Sequence, residues 1–332
     1  MTHLFTAALS RRAALLSAGA FAALPLASHA QQVTASASLQ TQADPGTHVA
    51  ARTDGAGHLT IEVHINGKPY RFVVDTAAER TVIADDAAAA LGLPPAGMVS
   101  INGLTGRLKV AAVSAAAVEV GPFRRQDILM PVLPRAFLAA DGYLGLDVID
   151  GTNVIFDFRN SALSIETPSL ETSFRPSTTA AQVQLSGSKG YLRVTDCLVD
   201  SVAAGAFIDT GAEISVGNVS LLNALRARNK NLQEMRMIVL TGVTGGELSA
   251  EVIGVDRVRL QNLSFTHGAL AISDVPDFQT WKMKYRPSLL IGMDYLRQFD
   301  RMSIDYRARR IDFQLSLAPP KPTPGVEVGA AV

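Results

Sequence analysis

Two short strings in this chain put a carboxylate where an apolar strand would be expected to run on: "FVVDTAAERT" at 72–81 and "AFIDTGAEIS" at 206–215. A lone carboxylate at the end of a buried strand costs roughly several kcal/mol unless it is paired or protonated. Taken singly, Asp75 and Asp209 read as turn or cap residues. Taken as a duplicated Asp-Thr-Ala/Gly-Ala-Glu string, they read as chemistry. Duplicated lobes packed about a pseudo-two-fold axis bring equivalent residues face to face. Two carboxyls at hydrogen-bonding distance cannot both ionise cheaply, so they share a proton. Such a pair can hold a water: the ionised member takes its proton as it attacks a carbonyl, and the protonated member donates to the carbonyl oxygen. Which aspartate plays which part is not readable from sequence, because the pair titrates as a unit.

The elements that must position these residues are written twice. In the first half, Asp75-Thr76-Ala77-Ala78-Glu79 is followed by a helical run near 84–91, "INGLTGR" at 101–107, "GYLGLD" at 142–147 and "NVIFDFRNSALSI" at 153–165. In the second, Asp209-Thr210-Gly211-Ala212-Glu213 is followed by a helical run near 219–228, "LTGVTGG" at 240–246, "LLIGMD" at 289–294 and "RMSIDYRARRIDF" at 301–313. The same markers recur in the same order over more than a hundred residues, far beyond a solenoid period. Elsewhere the pattern alternates apolar and polar residues between Gly and Asn-Gly turns. "TIEVHINGKPYRFVVD" reads as a hairpin turning near Asn66-Gly67.

Asp-Thr-Gly-Ala-Glu-x-Ser at 209–215, and the weaker Asp-Thr-Ala-Ala-Glu-Arg-Thr at 75–81, resemble the active-site motif of retropepsin-like aspartic proteases. "GYLGLD" and "LLIGMD" resemble that family's apolar-apolar-Gly element, and the likeness spans roughly 58–166 and 190–315. The resemblance implies an all-β fold of two pseudo-symmetric acid-protease β-barrel lobes with short helices, joined in one chain. That family is itself the stock example of two aspartates sharing a proton. By the same resemblance Asp75 and Asp209 are the catalytic dyad, and Thr76 and Thr210 interlock the active-site loops through their hydroxyls. Ala77 and Gly211 offer backbone N–H groups beneath the carboxylates, and Gly145 and Gly292 pack closely beneath the pair. Gly103, Thr105 and Gly106, with Gly242, Thr244 and Gly245, fall where flap hairpins that open and close over substrate belong. Ala77 departs from the family's glycine, and a methyl there is costly if the backbone needs φ > 0. Glu79 and Glu213 are expected to pair with arginines near the loops. Trp281, in "DFQTWKMKYRPS", has no equivalent in the first half and serves either as a pocket wall or as loop packing.

Composition narrows the partners. The 332 residues are 48% hydrophobic, with 30 basic and 30 acidic side chains. The balance argues against a nucleic-acid partner, and "RARR" at 307–310 is expected on a solvated strand edge. The six His are scattered and Cys197 is alone, so no metal, cofactor or disulfide is expected. Serine-hydrolase and nucleotide-binding strings are missing. "SRRAALLSAGAFAALPLASHA" reads as a signal peptide over 1–30, of twin-arginine or Sec type, implying a periplasmic or secreted protein without a membrane anchor. The expected domains are a polar leader at 31–56, lobes at 57–166 and 183–316, a linker at 167–182 and a tail at 317–332. The function these residues predict is a monomeric aspartic endopeptidase acting on peptide or protein substrates. The alternatives are a non-catalytic peptide-binding or regulatory module, which Ala77 would favour, and a protease acting mainly on its own leader.

Overall fold

The structure, a computed structural model, describes residues 52–53, 59–168, 180–186, 192–232 and 234–315. The expected signal peptide, the tail and nearly all of the leader lie outside the described residues, as does most of the linker.

In the first half, β1 (Arg52–Thr53) pairs with β2 (Leu59–Ile65), so the end of the expected leader joins the sheet. Ile61, Val63 and Ile65 of β2 point inward and are fully buried. Asn66 (φ 50°) and Gly67 (φ 81°) turn the chain into β3 (Lys68–Val74). Positive φ at both central residues is the hairpin geometry that Asn-Gly favours. There follow β4 (Val82–Ala84), α1 (Asp85–Leu91) closed by left-handed Gly92, β5 (Pro95–Gly103), β6 (Gly106–Val120) and β7 (Phe123–Leu133). A one-turn 3-10 helix (Arg135–Phe137) leads to β8 (Gly142–Leu144) and α2 (Leu146–Ile149). Pairing runs β2-β3-β8-β4-β7-β6, and β6 pairs back onto β2, closing a six-stranded barrel. β5 extends from β6 as a projecting hairpin. β9 (Asn153–Asp157) and β10 (Ala162–Glu166) leave the barrel.

The second half opens with β11 (Ala180–Ser186), which takes in the last residues of the expected linker. Next come β12 (Arg193–Val199), β13 (Val202–Ile208), β14 (Val216–Gly217), α3 (Val219–Arg228), β15 (Glu234–Thr241), β16 (Glu247–Leu260) and β17 (Leu263–Ile272). The chain ends with α4 (Pro276–Thr280), β18 (Ser288–Ile291), α5 (Met293–Leu296), β19 (Arg301–Asp305) and β20 (Arg310–Gln314). These strands belong to one large mixed sheet in which the order β12-β13-β18-β14-β17-β16 repeats that of the first half. There, too, the last strand pairs back onto the first. The β12–β13 turn uses Asp200 (φ 43°) and Ser201 (φ 68°) in place of Asn-Gly.

The halves are joined by sheet as well as by chain. β9 pairs antiparallel with β19, so strands run β10-β9-β19-β20-β11 across the junction. Within it Ser303 donates its buried hydroxyl to Asn153 Oδ1 at 2.8 Å. "RARR" falls at the β19–β20 turn, where Arg307 and Arg309 are exposed and Arg310 pairs with Asp312 at 2.9 Å. Cys197 is buried, and burial pushes its thiol up to about 12, the behaviour of a core side chain. Among the described residues no helix is long and apolar enough to cross a membrane.

Candidate active site

β3 and β13 end at Val74 and Ile208, so each strand delivers its next residue, Asp75 or Asp209, to the junction. Parallel pairing with the Gly-element strand behind fixes that point: Asp75 N–H donates to Leu144 O at 3.0 Å and Asp209 N–H to Ile291 O at 2.9 Å. Immediately after them the two loops lock together. Thr76 N–H donates to Thr210 Oγ1 at 3.2 Å, and Thr210 N–H to Thr76 Oγ1 at 3.1 Å. Each hydroxyl then donates to the carbonyl just ahead of the other aspartate: Thr76 to Ile208 at 3.0 Å, Thr210 to Val74 at 2.7 Å. The threonines are 0% and 2% exposed. Every polar atom in this crossed contact has a partner, as burial demands.

The carboxyls receive matched support. Asp75 Oδ1 accepts from Ala77 N–H at 2.8 Å and Ala78 N–H at 3.0 Å. Asp209 Oδ1 accepts from Gly211 N–H at 2.8 Å and Ala212 N–H at 3.2 Å. Ala77 is not among the residues with positive φ, so its methyl carries no left-handed strain and its N–H serves as Gly211's does. Gly211 is required for space instead. A Cβ there would lie 2.5 Å from Asp75 Cγ, which shows how closely the Asp75 carboxyl sits against the opposite loop. Asp209 is 8% exposed, whereas Asp75 is half-buried. Burial first, and the charge of Asp75 second, raise the Asp209 pKa well above the carboxylate range, against the pull of the Gly211 and Ala212 N–H groups.

Beneath the loops lie Gly145 and Gly292. A Cβ on Gly145 would meet the Arg80 carbonyl carbon at 2.5 Å, and one on Gly292 would meet Ala212 O at 2.9 Å. Sequence reasoning missed the pins that hold this packing. Asp147 accepts from Thr81 Oγ1 (2.7 Å) and Thr81 N–H (2.9 Å), and Thr81 Oγ1 in turn accepts from Gly145 N–H (3.1 Å). Asp294 does the same for Ser215 (2.6 and 3.0 Å), whose hydroxyl accepts from Gly292 N–H (2.9 Å). The available signal was a Thr or Ser six residues after each aspartate, and an Asp two residues after each glycine.

Above the site the two projecting hairpins, β5–β6 and β15–β16, meet. Thr105 Oγ1 and Thr244 Oγ1 are hydrogen-bonded at 3.0 Å. The glycines make this approach possible: a Cβ on Gly242 would lie 2.8 Å from Thr105 Oγ1, and one on Gly103 2.8 Å from Thr244 Cγ2. Gly245 (φ 74°) lies against Phe137 of the first half, where a Cβ would come within 2.5 Å of the ring. Leu104 packs on the second-half core around Phe278 and Val216. Gly106 opens β6 beside the tip. Trp281 stacks on Phe207 at 4.2 Å and meets Phe278 edge-on, so it packs the loop before β18. Among the described residues no group of His, Cys, Asp or Glu converges as metal ligands would.

No curated protein matches the chain. Residues 61–148 match the family described as Aspartyl protease (Asp_protease_2), a stretch that runs from β2 through Asp75 and the first hairpin to the Gly145 element. Asp209 lies outside the matched stretch. The family match identifies residues 61–148 as a retropepsin-like aspartyl protease domain, the stretch whose strands close the six-stranded barrel.

Proposed function

We propose that the chain is an exported, single-chain aspartic endopeptidase whose two halves are pseudo-symmetric lobes sharing one active site. The observation that carries this reading is the crossed Thr76–Thr210 contact, which sets the duplicated loops against each other and is accompanied by the close approach of the Asp75 carboxyl to Gly211 of the opposite loop. In the proposed mechanism the pair shares one proton, held mainly by the more desolvated Asp209. Ionised Asp75 takes a proton from a water as that water adds to the peptide carbonyl carbon. Asp209 donates its proton to the carbonyl oxygen, giving a neutral tetrahedral diol. Collapse of the diol breaks the C–N bond: the nitrogen takes the proton from Asp75, and a hydroxyl proton returns to Asp209. The peptide would lie extended beneath the hairpin tips, which must part to admit it.

Export rests on the sequence of residues 1–30 alone. The non-catalytic alternative rested on Ala77, and Ala77 makes the same bond to Asp75 that Gly211 makes to Asp209. The test is incubation of the purified protein with a complex peptide mixture from pH 3 to 8, read by mass spectrometry. New termini at internal peptide bonds, blocked by a transition-state mimic, are expected. Peptide binding without cleavage at any pH would instead support the regulatory module.

A further inference from the structure

The loop that follows β17 carries a carboxyl that the proposed mechanism does not use. In the first half the matching connection, after β7, is the 3-10 turn opening at Pro134, and its Arg135 is tied to Asp86 and Asp141 at 2.8 Å each. In the second half the connection opens at Pro276 and places Asp277 at the corresponding point of α4. Asp277 is half-buried, yet no cation and no hydrogen-bond donor among the described residues pairs with its side chain.

Its surroundings place it between the hairpin of the opposite half and the active-site loop. α4 packs against β5, the projecting strand of the opposite half. The next residue, Phe278, is fully buried in the cluster that also receives Leu104 from the hairpin tip and Ala212 from the active-site loop. The charges that reach Asp277 are those of the site: Asp75 acts on it from across the junction, and it acts on Asp209. Desolvation, then Asp75, push its carboxyl up to about 6. The segment that follows Asp277 is tied to the core. Asn218, fully buried, donates to Met283 O, Lys284 O and Arg286 O at 3.0, 3.2 and 2.7 Å, and Trp281 stacks on Phe207.

An unpaired carboxyl held beside two others is unfavourable in the empty protein, and a cation supplied from outside relieves that cost. The three acids do not converge as metal ligands, so a single charge on a flexible stem fits better than a metal ion. We propose that Asp277 lines a subsite beside the carboxyl pair and selects substrates bearing a lysine or arginine side chain there. The inference rests on the peptidase reading for the nature of the substrate, and it goes beyond that reading by naming a preference.

The experiment is capture, by the full-length protein at pH 7, from a randomised library of peptides with one reduced, uncleavable bond. Captured peptides are sequenced, and ordinary peptides of the same sequences are assayed separately for cleavage. The wild type is expected to enrich Lys or Arg about tenfold at one position near the reduced bond, as one charge-assisted contact would give. Asp277→Asn should lose the enrichment and Asp277→Glu should keep it. No enrichment, no capture, or the same enrichment in Asp277→Asn overturns the proposal. Enrichment without cleavage of the ordinary peptides leaves the subsite standing and overturns the peptidase reading.

Discussion

The two halves share their strand order, their loop lock and their buried pins, and they differ beside the carboxyls and in the loops that follow β7 and β17. Gly211 gives way to the opposite carboxyl, while Ala77 carries a methyl at the matching place. The turn after β7 opens with Arg135, which is paired to two aspartates, while the loop after β17 holds Asp277, whose side chain has no partner among the described residues. The lock and the pins, which hold the aspartate loops, are common to both halves, and these two contacts are not.

The comparison breaks most severely at the carboxyls themselves. If both halves contribute to one site, Asp75→Asn and Asp209→Asn each lower peptide hydrolysis by about 10²–10⁴-fold, with the circular-dichroism spectrum unchanged. A variant of either with near-normal turnover would mean that one half works alone. The next largest effect separates the two loops. In Gly211→Ala the new Cβ sits 2.5 Å from Asp75 Cγ and must displace it. A displacement near 1 Å costs about 10²-fold in rate, whereas Ala77→Gly is expected to stay within about threefold of wild type. Equal effects in the two variants would erase the asymmetry.

The threonine lock should behave symmetrically. Thr76→Val and Thr210→Val each strand a buried N–H and a carbonyl, costing about 1–3 kcal/mol. Urea unfolding should give similar losses for both, and a loss in only one would show that the lock is one-sided.

How much of this was legible in sequence depends on range. The Asn66-Gly67 turn and the helix at 219–228 are local, and their residues announce them. The Asp200-Ser201 turn has the same positive φ values but no glycine to mark it. The β9–β19 pairing across the junction joins residues about 150 apart, and no local period encodes it. Asp147 and Asp294 stood in quoted strings, yet a pin is recognised only when its hydroxyl partner is known. Asp277 was hidden for the same reason: its meaning depends on the neighbours that the fold brings to it.

The smallest expected effect is a stability difference that depends on pH. Asp277 has a folded-state value pushed from 3.8 to about 6, so the folded protein keeps a proton that the unfolded chain gives up between them. Its contribution is therefore favourable at low pH and is lost as pH climbs through that window. Asp277→Asn removes the charge, so its melting temperature should rise relative to wild type between pH 4 and pH 8. A constant difference would place Asp277 in open solvent, away from the cleft.

The central claim is that the paired acids share a proton. It is tested most directly by a ¹³C NMR titration of the aspartate carboxyls, assigned with Asp209→Asn. The Asp209 carboxyl should keep the chemical shift of a protonated acid well above pH 4, and its titration should change when Asp75 becomes Asn. Two carboxyls ionising independently in the ordinary aspartate range would contradict it.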